Sequence, residues 1–205
     1  MLWLVVGFTC LLLFIGCQKV SSLPSGVAAI STTVPSSIHV PATVERLIVL
    51  YPKTTEHELT SAYNRLDGSS FQLKAKRPSL KIIDRSDLET ILNEQRLQVS
   101  GTVSDATAIH VGKMIGADSV LLYHIEAPNM RDRTLARVSG NLPSILISSK
   151  IILVESGEVV YHNVVTAPAE KLDHDQAFFL VETNLQRSLD RGVTQTIADL
   201  QHAFQ

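Results

Sequence analysis

Apolar positions in this chain change their spacing several times, and each change marks a different kind of segment. Met1 to Gly16 is almost continuously apolar and carries no charged side chain. The run is shorter than the ~20 residues a helix needs to cross a bilayer comfortably. A short apolar core ending in a small residue reads as a secretory signal. From Gln18 to Thr43 the pattern dissolves into Ser, Thr, Pro and Val, with Pro24, Pro35 and Pro41 interrupting any helix. That composition predicts a tether, which would reach roughly 85 Å fully extended and about 28 Å as a coil. The alternative is an arm packed along the domain or a neighbouring subunit, for which Val27 to Ile30 would serve.

A folded domain is expected from Val44 onward. Arg46 to Tyr51 is apolar on both faces, as in a central strand covered from two sides. Leu59, Ala62, Tyr63 and Leu66 form a helical stripe, and Asp67-Gly68 reads as its end. Leu80 to Asp84 is a short strand. Ser86 and Glu89 have capping-box spacing ahead of Leu88, Ile91 and Leu92. Ser104 caps a further helix whose buried side is Ala108, Val111, Gly112 and Ile115, with Gly116 as its stop. The strand Ser119 to Ile125 follows. After Pro128 the chain reads as an irregular segment rich in arginine, with Arg131, Arg133 and Arg137. Ile145 to Val154 and Glu158 to Thr166 flank a Glu155-Ser156-Gly157 turn and predict an antiparallel hairpin. The last helix carries Phe178, Val181, Leu185, Leu189, Val193, Ile197, Leu200 and Phe204 at steps of three and four, with Gly192 as a candidate kink. This order of elements predicts an α/β fold: a mixed sheet of about five strands with packed helices, closed by a long C-terminal helix.

Composition narrows the setting. Residues 17–205 suffice for one domain. Of the two cysteines, Cys10 lies in the signal-like run, so the remainder has no internal disulfide partner and depends on a packed core. The formal charge of −2 with interspersed signs gives no long-range field for nucleic acid or an anionic lipid surface.

Phe14-Ile15-Gly16-Cys17 resembles the bacterial lipoprotein box. The resemblance implies cleavage before Cys17, diacylglycerol on its sulfur and acylation of the new amine. Gly16 is the small residue such a cut needs, while Phe14 stands where leucine is favoured. Met1-Leu2-Trp3 lacks the positive charge of a signal's first residues, which a start further upstream would supply. The expected organisation is therefore a signal over 1–16, a lipidated Cys17 and tether over 17–43, and a domain over 44–205. One acyl chain holds a protein to a membrane marginally and several hold it firmly. Gln18 after the cysteine resembles the outer-membrane sorting class, implying a place on the periplasmic face of that membrane.

Three segments in order resemble the curli secretion (CsgG-like) lipoprotein family. Ile83 to Gln98 is similar to its Asp-Arg-Ser segment, Val111 to Asp118 to its Gly-Lys…Gly-Ala-Asp turn into a strand, and Ile151 to Val160 to its later strand-turn-strand. Leu47 to Leu50 fits its opening strand. The resemblance spans roughly 44–166 and implies a sandwich of the CsgG-like or TolB amino-terminal-like kind. Helix caps and close packing account for most of these positions, so the motifs encode fold more than chemistry. Channel-forming members insert β-hairpins, and a membrane strand needs about 9 to 11 alternating residues. Asn129 to Ser144 carries no such alternation and Ala167 to Asp175 is too short, which argues against a pore built by this chain alone.

Catalytic and metal-binding patterns are missing from the sequence. His57, His110, His124, His162, His174 and His202 are scattered, without paired ligand spacing. Asp173-His174-Asp175 precedes a helix and is better explained by capping than by a metal. No Gly-x-Ser-x-Gly elbow or phosphate-cradling glycine loop occurs, and no cofactor, catalytic residue or metal site is expected. The leading expectation is a non-enzymatic lipoprotein of an envelope secretion or assembly complex, its envelope partner unidentified, with a self-complementary face as a further option. A regulator that reaches out to activate a cell-wall synthase, similar to the penicillin-binding protein activators, is the alternative; an anchored enzyme has no residue constellation behind it.

Overall fold

The computed structural model describes residues 31–32, 39–83 and 103–205. The segment read as a capped helix after Asp84 lies outside them, as does Cys17. The elements are β1 (Ser31–Thr32), β2 (Arg46–Leu50), α1 (His57–Ser70) with a 3-10 turn at Phe71–Ala75, β3 (Lys81–Ile83), α2 (Asp105–Ile115), β4 (Ser119–Glu126), α3 (Met130–Ser139), β5 (Ile145–Leu153), β6 (Val159–Ala167) and α4 (His174–Ala203).

The strands form one mixed sheet in the order β1-β6-β5-β4-β2-β3. β2 runs parallel to both β3 and β4. β4, β5 and β6 form an antiparallel meander, Leu121 opposite Ile151 and Ile147 opposite Val165. Gly157, at φ 73°, makes the β5–β6 turn, a left-handed conformation that glycine adopts without a Cβ penalty.

Alternation along the strands sorts apolar side chains into two cores. Leu47, Val49, Leu121, Tyr123, Ile147 and Tyr161 face α1 and α4. Ile48, Leu50, Val120, Leu122 and Ile152 face α2. β2 and β4 are apolar on both sides because each lies between helical layers, as their composition predicts. Gly192 permits a close approach within the unbroken helix α4: a Cβ there would lie 2.9 Å from Ile147 Cδ1 and 3.1 Å from Ala167 Cβ.

Several expectations need correction. β1 adds a sixth strand, pairing Ser31 with Thr166 and Thr32 with Val165. Residues 39–43 also belong to the folded body: Val40 is 3% exposed and donates its N–H to the Ala203 carbonyl at 2.7 Å. Arg77 clasps this segment, donating to the carbonyls of Val40 (2.7 Å), Pro41 (2.8 Å) and Val44 (3.2 Å) while lying over the Phe204 ring. The packed-arm alternative thus describes these residues better than a free tether does.

Asp67-Gly68 does not end α1. Glycine inside a helix costs about 1 kcal/mol, and burial of Leu66, Ser70 and Leu73 around it outweighs that. Phe178 is 64% exposed. Ala177 instead occupies the buried position one turn before Val181.

Candidate functional site

The arginine-rich segment after Pro128 is the largest departure from the sequence reading, because it is the helix α3. Asn129 accepts from the N–H groups of Arg131 and Asp132, and Asp132 accepts from the Asn129 N–H at 3.1 Å, a reciprocal capping box. Gly140, at φ 72°, ends the helix, and a Cβ there would strike the Leu172 carbonyl oxygen at 2.1 Å. Both signals stand in the sequence but are masked by the local density of charge.

Two of its arginines are engaged with the body of the domain. Arg133 is 6% exposed. Its Nε donates to the Pro128 carbonyl at 3.0 Å, one guanidinium nitrogen meets Glu56 at 2.5 Å, and the other lies 3.6 Å from Glu182. Arg137 donates to the same Glu182 at 3.0 Å. This network fastens α3 to the entry of α1 and to α4, so Arg133 and Arg137 are not a solvated basic loop.

The glycine and aspartate positions of the 111–118 motif are structural. Gly112 packs directly on the sheet: a Cβ would lie 2.5 Å from Val154 Cγ2 and 3.0 Å from Val120 Cγ2. Gly116, at φ 67°, is the left-handed cap of α2, and Ser104 caps its start by accepting from the Thr107 N–H at 3.1 Å. Asp118 accepts from the N–H groups of Glu45 (3.0 Å) and Arg46 (2.7 Å) and from the Ser119 hydroxyl (2.8 Å). It pins the start of β2 beside β4. An open cleft of about 820 Å³ lies at this end of the sheet, bordered by Lys113, Asp118, Glu155 and Glu158.

Three buried tyrosines line the α1–α4 side. β4 runs past the end of β2, which leaves the Ile125 N–H without a strand partner on that side; it donates to the Tyr63 hydroxyl at 2.9 Å. Tyr63 stacks on Tyr51, with centroids 4.9 Å apart. Burial raises the Tyr63 hydroxyl to about 12 and raises those of Tyr123 and Tyr161. Tyr123 is satisfied by the Ser70 hydroxyl at 3.0 Å.

The remaining sequence candidates do not converge. His124 sits on the opposite face of β4 with Nε2 3.7 Å from Glu126. His162 is paired with the Ser148 hydroxyl at 3.3 Å. Asp173 stands at the N-cap of α4, but its side chain makes no capping hydrogen bond. Among the described residues no group of three or more His, Cys, Asp and Glu is placed to hold a metal ion, and no helix is long and apolar enough to cross a membrane. The apolar faces of β4, considered as a surface for self-association, are both buried inside the domain.

Residues 74–140 match the family model of the curli production assembly/transport component CsgG. The likeness to that family holds over this span. It takes in the Ile83–Gln98 and Val111–Asp118 motifs, while the opening strand and the β5–β6 hairpin fall outside it. In this CsgG-like segment α3 occupies 130–139, within the stretch considered for a membrane hairpin.

No curated protein matches the chain. Among solved structures, a PelC dodecamer from Paraburkholderia phytofirmans is similar at 16% identity and TM-score 0.45, over 86% of this chain and 98% of that one. The LpoB C-terminal domain from Escherichia coli is similar at 14% identity and TM-score 0.40, over 60% of this chain and 82% of that one. A lipoprotein from Neisseria meningitidis shares 10% identity at TM-score 0.39, over 75% and 97% of the two chains.

Proposed function

We propose that this chain is a non-enzymatic lipoprotein of the bacterial envelope, acylated at Cys17, and that it serves as a component of a secretion or assembly complex on the periplasmic face of the outer membrane. The observation that carries the reading is the joint presence of Phe14-Ile15-Gly16-Cys17 and a CsgG-like segment at 74–140. The structural roles of Gly112, Gly116 and Asp118 support it, because they give the family-like motif a task in folding. The packing of residues 31–32 and 39–43 weighs against the wall-spanning activator. Cys17 to Ser31 then spans at most about 50 Å, which shortens the free reach.

The test is the mass of the N-terminal peptide from membrane-extracted protein, alongside the oligomeric state in mild detergent. A peptide beginning at acylated Cys17, loss of membrane association in Cys17→Ala, and a homo-oligomer or a co-purifying envelope protein are expected. An unmodified, soluble, solitary chain would overturn the reading.

A further inference from the structure

Met130, Leu135 and Val138 on α3 are 69%, 58% and 68% exposed, and Phe178 and Phe179 on α4 are 64% and 77% exposed. Among the described residues every other exposed large hydrophobic is either Phe71 or Val159. The five stand on two helices that pack against each other. Arg137, next to Val138, bonds Glu182, which stands one turn along α4 from both phenylalanines. The Leu172 N–H donates to the Gly140 carbonyl at 3.0 Å, closing the end of α3 against the entry to α4. The two phenylalanine rings meet edge to face with centroids 5.2 Å apart. Isolated apolar side chains on a surface are ordinary, but a contiguous group of long ones marks a contact site.

The path of the chain says what covers this corner. Ser31 pairs antiparallel with Thr166, so β1 starts at the end of the sheet where β6 finishes and α4 is about to begin. β1, which begins fourteen residues after Cys17, thus starts at the same end of the sheet as the apolar corner. We infer that this corner rests in the interface of the lipid bilayer that holds the anchor, with Phe178 and Phe179 among the headgroups and upper acyl chains. The inference rests on the acylation of Cys17. Neighbouring charges are of both signs, Arg131 and Lys171 against Asp173 and Asp175. Apolar burial, rather than attraction to anionic headgroups, therefore drives the contact, and lipid charge should matter little. The described domain is thereby oriented, with the Val159 end of the sheet directed away from the bilayer.

The chain's one tryptophan, Trp3, precedes Cys17, so Phe179→Trp, made together with Trp3→Phe, gives a single fluorescent reporter in the full chain. The protein is reconstituted into phosphatidylcholine vesicles whose acyl chains carry bromine, and its acylation state is read by mass on the same sample. F179W emission is expected to shift to the blue and be quenched by the brominated lipid, equally with added phosphatidylglycerol. Val159→Trp, at the far end, is expected to stay open to aqueous acrylamide and unquenched by lipid. If the chain is acylated and vesicle-bound but F179W stays red-shifted and open to acrylamide, the bilayer contact is overturned while the anchor stands. If F179W is blue-shifted yet untouched by lipid bromine, a second copy or a protein partner covers the corner and the inference is equally overturned. An unacylated mass refutes the anchor and, with it, this reason for the orientation.

Discussion

Gly112 is the position at which two opposing effects can be weighed against each other. In an exposed helix, replacing glycine by alanine gains up to ~1 kcal/mol of helix propensity. Here the added Cβ would lie 2.5 Å from Val154 Cγ2 and 3.0 Å from Val120 Cγ2, on side chains that are 5% and 0% exposed. Overpacking a buried contact typically costs about 1–3 kcal/mol. The steric cost wins, and Gly112→Ala is expected to destabilise the domain by about 1–2 kcal/mol net. Val154→Ala alone forfeits buried methyl groups and costs about 2 kcal/mol. Together the two changes partly compensate, since the new methyl enters space the old ones leave. The double variant should be more stable than the sum of the singles by about 1 kcal/mol or more. Urea unfolding followed by far-ultraviolet circular dichroism measures all four chains of this cycle. A Gly112→Ala variant as stable as its parent, or strictly additive costs, would refute the claim that this glycine exists to let α2 approach the sheet.

Asn129→Ala removes the acceptor that satisfies two N–H groups of α3 and should cost about 1 kcal/mol in the same unfolding assay. Arg133→Met leaves Glu56 without this partner and is expected to cost about 2 kcal/mol, between the values for exposed and buried pairs because both carboxylates are half-exposed. Alkaline stability should fall between pH 10 and about 12. Tyr63 is raised from 10.0 to about 12 in the folded chain, so the unfolded chain loses its proton first and is favoured as pH rises through that window. Tyr63→Phe should lessen that dependence, to which the raised Tyr123 and Tyr161 also contribute, while lowering stability at neutral pH through the orphaned Ile125 N–H, as read from urea midpoints at stepped pH.

The legible parts of this fold are those whose signals are local. Ser104, Gly116 and Gly157 each act where they stand, at a cap or a turn, and their residue types announce the task. The double-sided apolar runs of β2 and β4 likewise report burial directly. The sequence is ambiguous where a side chain's fate depends on a distant partner. Arg133 is buried only because Glu56 and Glu182 come to it from elsewhere in the chain. The same holds for Val40, whose burial depends on Arg77 and Ala203. Phe178 falls off the buried face for a geometric reason: a helix of 3.6 residues per turn lets a stripe drift, and the ambiguity is greatest at its end. For the candidate site, the caps and glycines of the 111–118 motif were readable, whereas the apolar corner required knowing that α3 is a helix at all.

The Arg77 clasp bears on how the domain would take tension through its N-terminal chain. A pull arriving from that side is first met by the two-residue pairing of β1 with β6, a fastening short enough to give way early. Behind it, three backbone carbonyls are gripped by one guanidinium, and Val40 is tied to the carboxyl end of α4. The load then divides between the last helix, the longest element of the domain, and, through Arg77, the segment that matches the family model. The lead-in strand would act as a mechanical fuse, yielding before the folded body is strained.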